Sequence, residues 1–363
     1  MIYKECKNCV MNNYITQIEF DEKGICNFCN FYMKEVLPIL SKCQQEGELD
    51  RIVSIIKKER KSKYDCLIGL SGGVDSSYVA LIVKRLGLNA LAFHVDNGWN
   101  SDISVKNIKN IINKTGFDFF TYVIDWEEFK DLQLSFIRAG VIDIELLTDH
   151  AITAVALKLL KKEKIKYFIS GSNYATEAIM PAGWSWYKWD SINIKHIHKR
   201  FGKLPIKTFP TYNFWGKFLL MTRYKVIRLL DYIKYDKFKA MEELSKNFGW
   251  EYYGGKHYES NFTKFYQAYI LPTKFNVDKR YAHLSNLICA GLISKEQAKE
   301  ELKKPIYYQD ELEQELDYFL KKFNLTKDEF TKIMLEPPKS HYDYPNGVWI
   351  NNFLKKFLKR LAL

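Results

Sequence analysis

The sequence lacks the features that would place the chain in or across a membrane. None of its 363 residues belongs to an apolar run of about 18, the length that a membrane-spanning helix needs. The first six residues contain no apolar stretch of the kind found in secretory signal peptides. Hydrophobic residues make up 47% and charged residues 27% of the chain, which is typical of a globular protein with a sizeable core. We therefore expect a cytoplasmic protein without integral membrane contact.

The sequence also lacks the even number of cysteines that complete pairing into disulfides would require. An odd count of seven, in a protein expected in the cytoplasm, argues against a disulfide framework and for a metal site. Two close pairs, Cys6 with Cys9 and Cys26 with Cys29, are separated by sixteen residues. This spacing fits a zinc site of four thiolates, and because four thiolates complete the tetrahedron, the zinc is expected to be structural. An iron–sulfur cluster on the same ligands is the alternative.

Acidic residues are too few to balance the basic ones, and the net charge is +12 with a pI near 9.1. Such a charge favours polyanionic partners, including nucleic acid, nucleotides and acidic sugars. Because the lysines are scattered along the chain, no dedicated nucleic-acid surface is favoured.

Short apolar runs alternate with helical patterns in the first half of the chain. The predicted strands are 65–70, 90–95, 119–124 and 166–170. Asp149 is expected to cap the helix before the fourth strand. The alternation predicts an α/β protein with a parallel sheet and helices on both faces. Ligands bind such sheets at the carboxyl ends of the strands, where three loops are expected to meet: 71–77, 96–98 and 171–177.

The chain is predicted to have five parts. They are a cysteine-rich knob at 1–35, a helical connector at 36–60, a nucleotide-binding domain at 61–180, an aromatic-rich insertion at 181–222 and a mostly helical region at 223–363 that binds substrate or partner. The last region ends in a basic amphipathic pattern at 353–361, which is expected to pack on the protein itself or on a neighbouring subunit. A homo-oligomer is compatible with this arrangement.

A string of small residues follows the first predicted strand and reads Ser71-Gly72-Gly73-Val74-Asp75-Ser76-Ser77. Small residues let the backbone approach a phosphate closely. The free N–H groups and the dipole of a helix start favour an anion, and the serine hydroxyls can add hydrogen bonds. Asp75 would orient the loop or hold a Mg²⁺ ion that bridges the phosphates. The string is neither a Walker A motif nor a Gly-x-Gly-x-x-Gly dinucleotide motif.

This string resembles the pyrophosphate-binding loop of the N-type ATP pyrophosphatases, which include GMP synthetase, NAD synthetase, asparagine synthetase and tRNA thiolases. The resemblance implies that ATP is cleaved to AMP and pyrophosphate while a substrate oxygen attacks the α-phosphate. It also implies that His94, Val95 and Asp96 lie at the adenine and ribose. Gly171 and Asn173, on the loop after the fourth strand, are the further candidates for nucleotide contact.

Residues 254–291 combine many charged side chains with interleaved aromatic residues such as Phe262 and Tyr266. A solvated face would account for the charges but not for the aromatic residues, so a substrate site is favoured over a structural subdomain. Together with the first cysteine pair and residues 171–177, this segment resembles the bacterial N-acetyl sugar amidotransferases of surface-polysaccharide and flagellin-glycan pathways. The resemblance extends over about residues 5–305.

The second resemblance implies conversion of a sugar acetamido group into an acetamidino group. Adenylation of the amide oxygen makes an imidate, from which ammonia displaces AMP. Besides Asp75, the candidate catalytic cations are Lys256, Lys274 and Arg280, which would balance charge building at the α-phosphate. The candidate carboxylates, which would accept a proton from ammonia or orient the amide, are Glu177 and Glu259. The candidate sugar contacts are Trp184, Trp186 and Tyr187.

The chain carries no glutaminase signature, because Met1 is followed by Ile2 and no Cys/His/Glu set stands at a suitable spacing. The resemblance implies a separate glutaminase subunit as the ammonia source, together with a cyclase-like barrel subunit, both similar to the pair of histidine biosynthesis. The expected substrate is an N-acetylated nucleotide sugar, such as a UDP-linked diacetamido uronic acid, or a nonulosonic-acid precursor.

Two other functions are compatible with the loop. A tRNA-modifying enzyme of the thiolase or lysidine type would share the loop, the basic charge and a zinc knuckle. Thiolases commonly need paired cysteines near the nucleotide, whereas Cys43, Cys66 and Cys289 stand isolated in the sequence. A non-catalytic nucleotide-binding protein is disfavoured because no position of the loop is degraded.

Overall fold

The fold is built on a parallel β-sheet. The computed structural model describes residues 3–255, 258–350 and 352–353. Its five strands lie in the order β3-β2-β1-β4-β5, and every neighbouring pair is parallel. The strands are β1 Cys66–Gly69, β2 Ala90–Asp96, β3 Asp118–Val123, β4 Tyr167–Ser170 and β5 Lys225–Arg228. The predicted α/β class with a parallel sheet is confirmed.

The two faces of the sheet pack into separate apolar clusters. Leu67 of β1 belongs to one cluster, whereas its neighbours Cys66 and Ile68 belong to the other. The first cluster includes residues of α6 and α7, and the second includes residues of α4, α5 and α11. Side chains alternate between the faces of a strand, so helices cover both faces, as predicted.

Helices make up most of the rest of the described chain. The α-helices are α1 Asn27–Phe31, α2 Leu37–Cys43, α3 Glu48–Lys58, α4 Val74–Arg85, α5 Asp102–Thr115, α6 Trp126–Ala139, α7 Leu146–Lys162, α8 Tyr174–Glu177, α9 Ser191–Phe201, α10 Phe214–Thr222, α11 Lys237–Phe248, α12 Asn261–Phe265, α13 Leu271–Phe275, α14 Arg280–Cys289, α15 Lys295–Lys303, α16 Gln309–Phe323 and α17 Lys327–Leu335. Two π-helical turns, Tyr32–Val36 and Tyr266–Ile270, join α1 to α2 and α12 to α13. Short 3₁₀ turns cover Ala182–Trp184, Leu229–Tyr232 and His341–Asp343.

Strand β5 was not predicted from the sequence. It has four residues, only one of which is buried, and it lies within the region 223–363 that was predicted to be mostly helical. It pairs with β4 through Phe168 and Val226 and extends the same sheet beyond the predicted end of the nucleotide-binding domain at residue 180. A four-residue edge strand with charged ends carries too little hydrophobic alternation to be recognised in a sequence.

The predicted start of α7 was also wrong. The helix begins at Leu146 after Glu145, so Asp149 lies within its first turn and does not cap it. The insertion at 181–222, which showed weak periodicity, contains α9 and α10.

The cysteine-rich knob packs against the C-terminal half of the chain. Glu5 forms ion pairs of 2.8 Å with Lys295 and 2.9 Å with Lys299, both on α15. Val10 is fully buried in a small apolar cluster with Leu284 of α14 and Ala298 of α15. Across the described residues, no helix combines the length and the apolar character that crossing a bilayer requires.

Candidate nucleotide and metal sites

The loop after β1, residues 71–77, is named the phosphate loop after its predicted ligand, and its own hydroxyl groups hold it in shape. The Ser71 and Ser76 hydroxyls lie 3.2 Å apart, and the Gly73 N–H donates to Ser71 Oγ at 3.2 Å. Ser76 Oγ also donates to the Gly73 carbonyl at 3.1 Å. Helix α4 then begins at Val74 without a side-chain cap on its first turn. A helix start of this kind favours an anion.

Two glycines allow close packing around the loop. Gly72 has a φ of +81°, and a Cβ there would lie 2.5 Å from the Ser104 carbonyl oxygen. Gly171, on the loop after β4, faces the phosphate loop so closely that a Cβ would lie 3.1 Å from the Ser76 nitrogen. The loops after β1 and β4 therefore meet at the carboxyl edge of the sheet.

Aromatic residues far along the chain support the loop. The Trp250 indole N–H donates to the Gly72 carbonyl at 2.9 Å, and the Val74 N–H donates to the Tyr253 hydroxyl at 3.2 Å. Burial raises the pKa of Tyr253, so its hydroxyl stays protonated in neutral solution.

Three carboxylates surround a small cavity of about 190 Å³ over the loop: Asp75, Glu177 and Glu259. Asp75 accepts a hydrogen bond from the Tyr235 hydroxyl. Burial and the charge of Asp75 hold the pKa of Tyr235 well above its usual range, which keeps this phenol a donor. Mg²⁺ is usually bound by phosphates, waters and one or two carboxylates, so these oxygens fit an ion that arrives with a triphosphate.

A larger cavity of about 580 Å³ lies beside the loop. Its lining includes Ser71 and Ser76, together with His94 and Val95 at the end of β2 and Gly171 after β4. Apolar side chains supply part of the wall, and these are Phe93, Ile152, Phe168 and Met180. A concave site with both apolar walls and a few polar groups is typical of a small-molecule site.

His94 links two strand ends within this wall. Its Nδ1 lies 2.7 Å from the Leu70 carbonyl oxygen, and its Nε2 lies 3.0 Å from the Asn100 amide. Burial lowers the pKa of His94, so a neutral ring donates to Leu70 and accepts from Asn100. The imidazole thereby holds the β1 and β2 ends in register at the predicted adenine position.

The same cavity is lined by polar residues that were not predicted as site residues. They are Asn97, Glu145, Thr148, Asp149, Lys188, Gln267, Lys279 and His283. They come from the loop after β2, the start of α7, the insertion and the segment from α12 to α14. Asn97 belongs to the loop 96–98 that was expected at the strand ends, and Gln267, Lys279 and His283 belong to the segment 254–291 that was favoured as a substrate site. For the other four, no local sequence motif indicates a site, and only the tertiary fold brings them to it.

A second cavity of about 440 Å³ shares Gln267, Lys279 and His283 with the first. Arg280 lines this second cavity, where its guanidinium lies 2.8 Å from the Asp278 carboxylate. Lys237, which was not predicted either, lines both this cavity and the small cavity over the loop.

The structure places Lys274 away from the loop, contrary to the expectation. Its ammonium donates to the carbonyls of Ile333 at 2.6 Å and Glu336 at 2.7 Å, at the end of α17. A lysine at a helix C-terminus satisfies carbonyls that lack a partner within the helix, so its role there is structural.

Two predicted nucleotide contacts are used within their own turns, and a third is buried. Asp96 accepts from the Gly98 N–H at 2.9 Å, and Asn173 caps α8 by accepting from Thr176. Ser77 is fully buried beneath the loop. None of the three lines the cavities beside or over the loop. Lys256 lies outside the described residues.

The aromatic residues proposed as sugar contacts are also placed elsewhere. Trp184 is 4% exposed in the core, and Trp186 stacks on His341 with the ring centroids 4.9 Å apart. Trp186 and Tyr187 line a separate cavity with residues 338–342, and not the wall beside the phosphate loop.

The four predicted metal ligands form a compact cluster. The Sγ atoms of Cys6, Cys9, Cys26 and Cys29 all lie within 4.8 Å of one another. The Cys6–Cys29 and Cys9–Cys26 separations are 3.9 and 3.7 Å. Zinc–sulfur bonds of about 2.3 Å imply sulfur–sulfur edges of about 3.8 Å in a tetrahedron, so one ion fits. An iron–sulfur cluster would hold its thiolates farther apart, because they bind different iron atoms.

The sequence suggested that Cys289 is isolated, but the structure places it beside the cysteine cluster. Its Sγ lies 3.6 Å from that of Cys29, at the end of α14. The Asn8 amide lies 3.3 Å from the Cys29 sulfur and 3.7 Å from that of Cys289. The cluster therefore contacts helix α14, whose other end lines the second cavity through Arg280 and both cavities through His283.

The sequence matches a family model in its C-terminal third. The model, described as "LPS biosynthesis protein WbpG-like, C-terminal domain", matches residues 259–359. An uncharacterized protein of Methanocaldococcus jannaschii, MJ1599, is 26% identical over 310 residues, which is 83% of this chain and 94% of that protein.

Two shorter matches involve named enzymes. A tRNA(Ile)-lysidine synthase of Chlamydia pneumoniae is 33% identical over 76 residues, 20% of this chain and 23% of that enzyme. A glutamine-hydrolysing GMP synthase of Wigglesworthia glossinidia brevipalpis is 29% identical over 97 residues, 26% of this chain and 16% of that enzyme. The chain thus matches less than a quarter of either enzyme's length.

Among solved structures, the NH₃-dependent NAD synthetase of Campylobacter jejuni has a TM-score of 0.31 at 16% identity and covers 58% of this chain and 83% of its own. The U34-tRNA thiolase NcsA of Methanococcus maripaludis has a TM-score of 0.33 at 14% identity, and the match covers 84% of this chain and 88% of the thiolase.

Proposed function

We propose that the chain is an ATP-dependent amidotransferase that adenylates the acetamido oxygen of an N-acetylated nucleotide sugar or nonulosonic-acid precursor. Ammonia then displaces AMP and leaves an acetamidino group. One observation carries this proposal. The segment matched by the lipopolysaccharide-protein model, 259–359, contributes Glu259, Gln267 and His283 to the same cavity that Ser71 and Ser76 line.

The chemistry follows from what the cavity walls offer. An amide oxygen is a weak nucleophile, and its attack on the α-phosphate needs the departing pyrophosphate to be stabilised. The loop and the start of α4 supply N–H groups for this task, and Lys237 lies beside the small cavity over the loop. Glu177 and Glu259 border both cavities, where they would help to hold Mg²⁺ with the phosphates. Arg280 and Lys256 stay proposed as further cations.

The cysteine cluster is proposed to bind one structural Zn²⁺, because four thiolates at these distances leave no open position for chemistry. Ammonia is proposed to come from a separate glutaminase subunit, accompanied by a cyclase-like barrel subunit. Purified chain should then use ammonium directly and should not use glutamine.

The decisive experiment follows the amide oxygen. The chain is incubated with ATP, Mg²⁺, ammonium and a UDP-linked diacetamido uronic acid that carries ¹⁸O in its acetamido groups. The proposal expects pyrophosphate, an amidine product and AMP that contains the heavy oxygen. Unlabelled AMP would contradict it, because the amide oxygen would not have attacked the α-phosphate. AMP formation that requires tRNA, and not the sugar, would favour the tRNA-modifying alternative.

A further inference from the structure

Asp149 presents a carboxylate to the cavity that the phosphate loop lines. Its side chain is 49% exposed, and it shares the cavity wall with Ser71 and Ser76. The residue lies in the first turn of α7, where the helix dipole favours a negative charge. Asn97, the first residue after β2, donates to Thr148 at 3.0 Å and fixes this turn against the sheet edge.

Lys188 holds this carboxylate in position. Its ammonium lies 3.2 Å from Asp149 and 2.8 Å from Asp143. The Asp143 side chain is only 3% exposed, and it also accepts the Trp186 N–H at 2.6 Å. Because Asp143 is committed to the core, Asp149 is the carboxylate of this triad that lines the cavity, where Lys188 lies beside it.

The other carboxylates of the wall have different surroundings. Glu145 is paired with Lys279 at 3.1 Å and accepts from Gln267 at 3.2 Å. Glu177 and Glu259 also border the small cavity over the loop, where the phosphates are proposed to lie. A base for ammonia is better placed away from the triphosphate, because its own negative charge would be repelled there.

We propose that Asp149 is the catalytic base of the second half-reaction, the attack of ammonia on the adenylated amide, and that Lys188 is its positioning residue. This inference rests on the proposed function. Ammonia forms a carbon–nitrogen bond to the imidate carbon, and the new ammonium group loses one proton to Asp149. The carbon–oxygen bond then breaks, and AMP leaves with the bonding electrons and the former amide oxygen.

The charged surroundings of Asp149 set the expected pH dependence. Although about half of its side chain is exposed to the cavity, partial desolvation by the surrounding protein raises the pKa of Asp149 above its usual range. The Lys188 ammonium opposes this rise, and the charges of Glu145 and Asp143 add to it. The groups that face it are Lys188, Glu145, Asp143 and the phenol of Tyr212, with Lys279 behind Glu145. A base must be deprotonated to act, so the rate should fall as the pH drops through this pKa. Removal of the lysine charge should move that fall to higher pH.

The test separates the two half-reactions with Asp149→Asn, using the UDP-linked diacetamido uronic acid as the acceptor probe. ATP binding is measured by calorimetry, adenylation by exchange of labelled pyrophosphate into ATP, and the second step by ammonium-dependent amidine formation. The expected result is ATP affinity and exchange within about threefold of wild type. Amidine formation should fall by about 100-fold or more. When the concentration of free ammonia is held constant, the rate of amidine formation by Asp149→Asn should no longer fall as the pH is lowered, so that the acid limb of its pH profile disappears.

Two further variants keep the outcome interpretable. Glu163→Gln changes a carboxylate at the opposite end of α7 and should leave all three measurements unchanged. Lys188→Met should shift the acid limb upward, and Lys188→Arg should restore it, which a merely structural role would not produce. Parallel loss of exchange and amidine formation in Asp149→Asn would overturn the inference, since Asp149 would then serve nucleotide binding or adenylation. If wild type gives neither exchange nor amidine, the proposed function itself fails.

Discussion

Trp250 donates its indole N–H to the carbonyl of Gly72, 178 residues earlier in the chain, at 2.9 Å. Trp250 is 2% exposed, and the acceptor is the residue of the phosphate loop with the left-handed backbone. The segment that follows α11 therefore controls the shape of a loop whose sequence motif gives no sign of this dependence.

Trp250→Phe should weaken nucleotide binding without removing it. The ring still fills the core, but the Gly72 carbonyl loses one donor, and a lost hydrogen bond of this kind costs about 1–2 kcal/mol. We expect ATP affinity measured by calorimetry to fall about five- to thirtyfold if that free energy is lost at the loop. Trp215→Phe, at a side chain that is 66% exposed, is the control. Equal affinities in both variants would show that the loop does not depend on Trp250.

Gly72→Ala should cost more than its backbone angle alone explains. The new Cβ would lie 2.5 Å from the Ser104 carbonyl oxygen, whereas Gly116 has a similar positive φ and no atom within 4 Å of an added Cβ. Gly116→Ala should lose about 1 kcal/mol from backbone strain only. Gly72→Ala should lose that amount of unfolding free energy plus about 1–3 kcal/mol from the clash. It should also lose ATP binding. Urea denaturation of both variants measures the difference, and equal losses would contradict the close approach.

Glu128→Gln should destabilise the chain because its carboxylate anchors the segment before α10. It accepts the N–H groups of Lys207 at 2.6 Å and Phe209 at 2.9 Å, and the Thr208 hydroxyl at 2.7 Å. The amide turns two donor hydrogens toward these groups, which should cost about 2–3 kcal/mol of unfolding free energy. The neighbouring Glu127, with a side chain 63% exposed, provides the control, and its glutamine variant should change stability by less than about 0.5 kcal/mol. Similar stabilities of the two variants would refute the anchoring role.

Acid should destabilise the chain through two buried histidines. Burial lowers the pKa of both His150 and His341 to about 4. Because the unfolded chain binds these protons at its ordinary pKa near 6.5, stability should be complete above that pH and should fall progressively between about 6.5 and about 4. Each imidazole contributes a slope of at most about 1.4 kcal/mol per pH unit.

Urea denaturation from pH 7.5 to 4.5 measures this slope. His150→Phe, which preserves the stack on Tyr212, should reduce it, whereas His196→Gln on the exposed face of α9 should not. A slope unchanged in His150→Phe would mean that other groups cause the acid sensitivity.

Metal removal should loosen the helices α14 and α15, which lie next to the cysteine cluster, more than the strand and helix that flank the phosphate loop. The cluster contacts α14 through Cys29 and Cys289, and α14 lines both cavities through its first turns. Elemental analysis should find one zinc per chain. In Cys26→Ser, hydrogen exchange should speed up in α14 and α15 while β1 and α4 stay protected. Loss of protection in all four elements alike would instead indicate that the whole fold depends on the metal.

Signals that are local in sequence predicted much of this molecule. Four strands follow from apolar runs bounded by turns, the phosphate loop from seven consecutive residues, and the metal ligands from two tight pairs. Each of these features is set by neighbours along the chain, so single-sequence patterns suffice.

Features that arise from packing escaped prediction. Lys188 and Asp149 are 39 residues apart in the sequence, and no motif next to either residue indicates that they form an ion pair. Lys274 was expected at the phosphates because it lies in a charged, aromatic segment, but a lysine in such a segment can equally well bind the carbonyls at a helix end. The carbonyls that it binds, at the end of α17, are distant in sequence and become apparent only in the fold.

The position of the cysteine cluster has a consequence for how the chain is made. All four ligands leave the ribosome before Cys289, which contacts Cys29 and follows it by 260 residues. At about 5–20 residues per second, this interval lasts on the order of 13–50 seconds. A nascent chain can therefore acquire its ion long before the helix that covers the thiolates exists, and loading is easiest while that face is still open to solvent.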